Sequence, residues 1–165
     1  MIMGHFYFIR HGQTIWNVEN KICGATDIAL TELGHQQAIE TGKKILKEGI
    51  QADEILYSPL VRAADTAKHI SEITGIPARE EPRLIEQNFG KYESTPRDGA
   101  EFQEAKKECA IRYEGGESML HLAQRILTVL AIPSQTPTPC PRAPMISWEY
   151  AFFNLSYVIF WQIKS

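Results

Sequence analysis

The chain has 165 residues, 44% of them hydrophobic and 22% charged, with a formal net charge of -3. This is the composition of a globular protein with one core, too short for two ordinary domains, and it excludes a disordered or fibrous chain. The mild acidity argues against a nucleic-acid binder but leaves room for a local basic site and a small anionic substrate. Cys23, Cys109 and Cys140 form no CxxC pair and no Cys/His cluster. No disulfide scaffold or metal site is expected, and a reducing cytoplasm fits best. The first residues lack the basic segment and long apolar run of a signal peptide.

In chain order, residues 6–9 are aromatic and β-branched and predict a buried strand ending at Arg10-His11-Gly12. A loop follows through Asn17, Asn20, Cys23-Gly24 and Asp27. Thr31 then caps a helix striped by Leu33, Ala38, Ile45 and Leu46 and ending near Gly49. Residues 54–57 predict a second strand. Ser58-Pro59 predicts a helix start, with Ser58 as N-cap and Pro59 at the first helical position. Ala63, Ala67, Ile70 and Ile73 stripe this helix, and Gly75-Ile76-Pro77 ends it. Residues 82–86 read as extended and 98–113 as helical. After Gly115-Gly116, Ser118 caps a last helix carrying Leu122, Ile126, Val129 and Leu130. Strands alternating with helices predict an α/β fold, a three-layer α/β/α sandwich with a mostly parallel sheet.

Composition changes at residue 132. Five of the nine prolines fall in residues 133–144, and the apolar stretch 145–163 follows. That stretch is near the minimum for a membrane-spanning helix, roughly 17–25 residues. Its aromatic content and its Glu149, Asn154 and Ser156 favour a closing edge strand over 155–163, and no membrane insertion is expected. An exposed apolar tail favours self-association, so a homo-oligomer is one expectation.

Chemistry is suggested at the predicted carboxyl ends of the strands, where α/β folds place their sites. A backbone carbonyl on one nitrogen of His11 can hold the imidazole neutral and leave the other as a nucleophile. Arg10 can bind phosphate oxygens, and Gly12 permits close backbone approach to an anion. Alternatively, His11 merely caps a strand. Arg62 falls in the first turn of its helix, where the dipole disfavours a cation, so a bound anion or a surface salt bridge must explain it. Glu86 follows the apolar pair Leu84-Ile85. Among apolar side chains it can stay protonated and act as an acid; otherwise it is an ordinary solvated carboxylate.

Taken together, Ile9-Arg10-His11-Gly12-Gln13-Thr14 with Asn17, residues 24–34 with Gln37-Ala38, residues 57–67, Leu84-Ile85-Glu86 with Phe89-Gly90, and Gly115-Gly116-Glu117-Ser118 resemble the histidine phosphatase superfamily, the phosphoglycerate mutase-like family. The matches keep the family's order over residues 6–130, within a single domain spanning 1–165 whose part 133–165 is atypical. The resemblance implies a phosphoglycerate mutase-like fold and in-line phosphoryl transfer through a phosphohistidine. It implies His11 as nucleophile, Glu86 as proton donor, and Arg10 and Arg62 as phosphate clamp. Asn17 and the backbone near Cys23 and Gly24 assist in binding. No metal or cofactor is implied, since arginines supply the positive charge.

One departure is clear: family members carry a second histidine after the strand that follows the Gly-Gly-Glu-Ser helix, and no histidine follows His121 here. Losing one such stabilising donor costs about 3–4 kcal/mol, or 10²–10³ in rate. The mutases are longer between the acid and the Gly-Gly-Glu-Ser helix, and residues 87–114 are short by comparison. The leading expectation is a phosphomonoesterase acting on a small phosphorylated metabolite, impaired by the missing histidine. A mutase-type phosphotransferase (an isomerase) and a non-catalytic phosphate-binding domain are the alternatives.

Overall fold

The computed structural model describes residues 5–130 and 157–162. Four strands form one sheet: β1 (His5–Arg10), β2 (Glu54–Tyr57), β3 (Ala78–Glu80) and β4 (Tyr157–Gln162), in the order β1-β4-β2-β3. β2 and β3 pair in parallel, while β4 pairs antiparallel with both β1 and β2. Three of the four described strands therefore run in one direction.

Among the described strands, the expected edge strand is interior, and the expected buried strand lies at the edge. β4 pairs Ile159 with Phe8 on one side and with Leu56 on the other. Its uncharged run Tyr157-Val158-Ile159-Phe160-Trp161 suits an interior position, because edges are usually blunted by charge. Among the described strands β1 has one neighbour, β4, and Tyr7 and Phe8 stay 36% and 39% exposed. The proline-rich segment 133–144 lies outside the described residues. No helix among the described residues is long and apolar enough to cross a membrane.

Adjacent strand residues face opposite sides, so Ile55 and Leu56 of β2 head two cores. Ile55 packs with Ile45 of α2 (Glu32–Lys47) and with Ala67 and Ile70 of α3 (Val61–Thr74). Leu56 packs with Leu84 and with Leu122, Ile126 and Val129 of α5 (Met119–Leu130). Helices thus cover both faces, which is the expected α/β/α layering. A third cluster of Ile22, Tyr92 and Phe102, flanked by Phe89 and Tyr113, lies under the loops.

Local departures have local causes. α3 starts at Val61, with Leu60 as N-cap. The Ser58 hydroxyl accepts from Leu60 N at 3.4 Å, forming a turn before the helix rather than capping it. The helix end lacking a side-chain cap of its own is served by Asp27, whose Oδ1 accepts from Val61 N at 2.8 Å. The extended segment is β3, whereas Pro82–Leu84 is a 3₁₀ turn started by Glu81, which accepts from Arg83 N. The helix expected over 98–113 shrinks to α4 (Ala100–Ala105), since residues 106–112 offer no apolar stripe to bury. A short unpredicted helix, α1 (Ile15–Val18), forms behind a Thr14/Asn17 capping box.

The β1 loop meets α2 with no room for side chains. A Cβ on Gly12 would lie 2.2 Å from the Gly34 carbonyl oxygen, and one on Gly34 would lie 2.2 Å from that of Gln13. Gly34→Ala should gain about 1 kcal/mol of helix propensity yet lower net stability by about 1–3 kcal/mol through overpacking, as read by urea unfolding.

Candidate active site

α3 brings Arg62 inward rather than to a surface salt bridge. The side chain is 0% exposed, and its guanidinium donates to Thr26 O at 2.9 Å and Gly24 O at 2.6 Å. The cation in the first turn is therefore held in part by loop carbonyls. One turn on, Thr66 Oγ1 donates to Arg62 O at 2.7 Å and accepts from Gly12 N at 3.2 Å. The same helix end thus holds the loop bearing His11.

His11 is 9% exposed, with Nδ1 2.6 Å from Gly12 O. A carbonyl only accepts, so Nδ1 carries the proton and Nε2 keeps its lone pair. Burial is the main force lowering its pKa from 6.5 to about 4; the bond to Gly12 opposes this, and Arg62, Arg10 and Arg97 add to the lowering. The imidazole is neutral at neutral pH. The Arg10 guanidinium, at the end of β1, makes no hydrogen bond or ion pair among the described residues.

The next loop supplies Asn17, Cys23 and Gly24. Asn17 Oδ1 accepts from both N and Oγ1 of Thr14 at 3.0 Å, which leaves its amide nitrogen as a donor. Gly24 is not a free donor: its N–H donates to Glu93 at 3.0 Å and its carbonyl serves Arg62. Ala25 N and Phe89 N also donate to Glu93, at 3.1 and 3.0 Å. Of the Cys23-Gly24 pair, Cys23 retains the backbone N–H that bonds no described residue. Burial pushes the Cys23 thiol up, so it is a poor nucleophile.

Glu86 is 6% exposed, and its Oε1 accepts from Gln87 N at 2.8 Å. It is not an ordinary solvated carboxylate. Arg125 of α5 pins its segment, donating to Arg83 O at 2.7 Å, to Ile85 O, and to Glu86 O at 3.2 Å. Glu117 pairs with Arg125 at 2.6 Å and accepts from Asn88 N at 3.2 Å.

Two contributors escaped the sequence reading. Arg97 acts electrostatically on His11 and is itself anchored by Nε on Lys21 O at 2.9 Å. Burial, then repulsion from Arg10, lowers its pKa. Its only sequence signal is a lone cation between Pro96 and Gly99. Arg125 had a stronger one, since it sits on the buried stripe between Leu122 and Val129. Among the described residues no cluster of three or more His, Cys, Asp or Glu side chains could hold a metal.

An unfolded His11 titrates at 6.5 and the folded one at about 4. Between these values the unfolded chain binds a proton that the folded site refuses. The cost is absent above pH 6.5, grows as pH falls, and levels off below about pH 4 near 3 kcal/mol. His11→Asn, which keeps a donor for Gly12 O, should therefore lose less stability than the parent when urea unfolding is compared at about pH 7 and 4.5. Separately, Arg125→Ala leaves Glu117 without its cation and three carbonyls without that donor. It should cost about 3 kcal/mol and speed hydrogen exchange at the amides of residues 83–88.

The sequence and the fold both have known relatives. Residues 6–136 match the histidine phosphatase superfamily (branch 1). The chain is 36% identical over 131 residues to the probable phosphoglycerate mutase GpmB of Erwinia tasmaniensis, covering 75% of this chain and 60% of that protein. The Yersinia pestis counterpart gives the same figures: 36% over 131 residues, 75% and 60%. The chain thus spans about three-fifths of the curated relatives it matches. Among solved structures, mycobacterial glucosyl-3-phosphoglycerate phosphatase aligns with TM-score 0.69 at 29% identity, covering 79% of this chain and 63% of that one. Phosphoglycerate mutase from Thermus thermophilus aligns with TM-score 0.64 at 29% identity, covering 80% and 74%. With its ordered motifs, its α/β layering and these matches, the chain belongs to the histidine phosphatase superfamily.

Proposed function

We propose that the protein is a phosphomonoesterase that works through a phosphohistidine at His11. The observation that carries this reading is the buried, neutral imidazole, tied by Nδ1 to Gly12 O at 2.6 Å and influenced by three arginines. In the first step Nε2 of His11 attacks phosphorus in line, and the bond from phosphorus to the ester oxygen breaks. Arg10 and Arg62 stabilise the charge on the transferring group, with Asn17 and the Cys23 N–H as further donors. Glu86 gives its proton to the departing oxygen. Water then attacks the phosphohistidine, Glu86 takes the water's proton, and inorganic phosphate leaves. The substrate is a small phosphorylated metabolite, and a cytoplasmic setting suits the free thiols Cys23 and Cys109.

The relatives include proteins named as probable mutases, at 36% identity, and a solved phosphatase, at 29%. The hydrolase is preferred because the segment between Glu86 and Gly115 is short. The second reading is a non-catalytic phosphate site. That site would bind phosphate or vanadate without turning over an ester.

Release of phosphate from an aryl phosphate between about pH 5 and 7, compared with His11→Ala, separates the readings. The phosphatase reading expects turnover that disappears in the variant. Equal rates in the two folded proteins sink it, and retained vanadate binding would then favour the binding domain.

A further inference from the structure

α2 and α3 pack along a shared face. Ala38 and Ile45 of α2 and Ala67 and Ile70 of α3 are buried, and a Cβ on Gly42 would lie 3.0 Å from the Ile73 side chain. At the end of this joint that meets the His11 loop stand two histidines, one from each helix. Gly34, next to His35, touches the backbone of Gln13, and Thr66, three residues before His69, holds Gly12. His35 Nδ1 lies 3.0 Å from His69 Nε2, with the rings almost perpendicular at 87°. Both residues are half-buried, so part of the pair is open to solvent.

Without a metal, one facing nitrogen carries a proton and donates it to the other. Each ring has a second nitrogen. Moving the donor's proton to its own other nitrogen leaves two facing lone pairs, and the pair loses no proton. Two nitrogens bound to one metal ion at about 2.0–2.1 Å lie roughly 2.9 Å apart at a right angle and roughly 3.3 Å apart at the tetrahedral angle. The observed 3.0 Å falls within that range. Neutral imidazole suits zinc, copper and nickel, and the packed helices beneath hold both ligands in place before the ion arrives.

We propose that His35 and His69 form a two-histidine clip for a late first-row divalent ion such as zinc or nickel. No third His, Cys, Asp or Glu side chain among the described residues completes the group, so water fills the remaining positions. The bound ion ties the start of α2 to α3 and steadies the frame that carries the His11 loop. The clip shares no residue with the phosphate site, and its test does not depend on turnover.

The test is calorimetric titration of the protein, free of any histidine tag, with nickel chloride at about pH 7.5, where free imidazole is mostly neutral. Half the binding free energy of a four-ligand site corresponds to a Kd of about 1–200 μM. His35→Gln and His69→Gln should each weaken binding about tenfold or more, while His121→Gln, on α5, should leave it within about twofold. Nickel is paramagnetic, so in the parent protein it should broaden the imidazole proton signals of two histidines ahead of the others, a readout that needs no variant. No binding below roughly 1 mM, or broadening shared alike by all the histidines, overturns the clip. So does an affinity unchanged in His35→Gln or in His69→Gln, or an equal loss in His121→Gln.

Discussion

A guanidinium with no exposed surface must find acceptors, and Arg62 finds them in the carbonyls of Gly24 and Thr26. The rest of the site depends on that requirement. The 24–26 loop is held against α3 because the cation needs it there. Asp27, carried by the same loop, then meets Val61 N and supplies the cap that α3 lacks. Thr66 completes the joint by holding Gly12 N from the next turn. One helix end therefore positions the histidine loop, the arginine and the 22–27 loop together, so no member can shift alone.

A second joint works the same way from the opposite face of the sheet. Arg125 reaches from α5 to the carbonyls of residues 83, 85 and 86 and is neutralised by Glu117. Glu93 gathers three backbone N–H groups from two loops. Each joint replaces regular secondary structure, which these loops lack, with a charged side chain that satisfies several backbone groups. The resulting fixed geometry suits the phosphoryl transfer proposed for the site, where positioning and fixed charge do most of the catalysis.

Much of this was legible in local patterns. Thr31 and Ser118 cap their helices as read, because a hydroxyl before an apolar stripe has one good use. The carbonyl expected on one nitrogen of His11 is that of its own neighbour, Gly12. Gly12 itself had been read as room for an anion, but its close contact is the backbone of Gly34. The resemblance implies that the backbone near Cys23 and Gly24 assists binding, and the Gly24 N–H goes to Glu93, 69 residues away. A glycine announces close approach without saying to what.

The candidate set around His11 came from the resemblance to the family, while periodicity and caps in the chain itself were enough to determine the α/β layering and the helices α2, α3 and α5. These depend on contacts within a few residues, which spacing records directly. Tertiary structure alone decided that β4 lies between β1 and β2, that Arg62 turns inward, and that Arg97 and Arg125 reach the site. The arginine contacts join partners 36 to 76 residues apart, and β4 pairs with residues more than about 100 positions away. A strand does not carry the name of its neighbour, and a cation finds its acceptors only when the loops that hold them have folded against it.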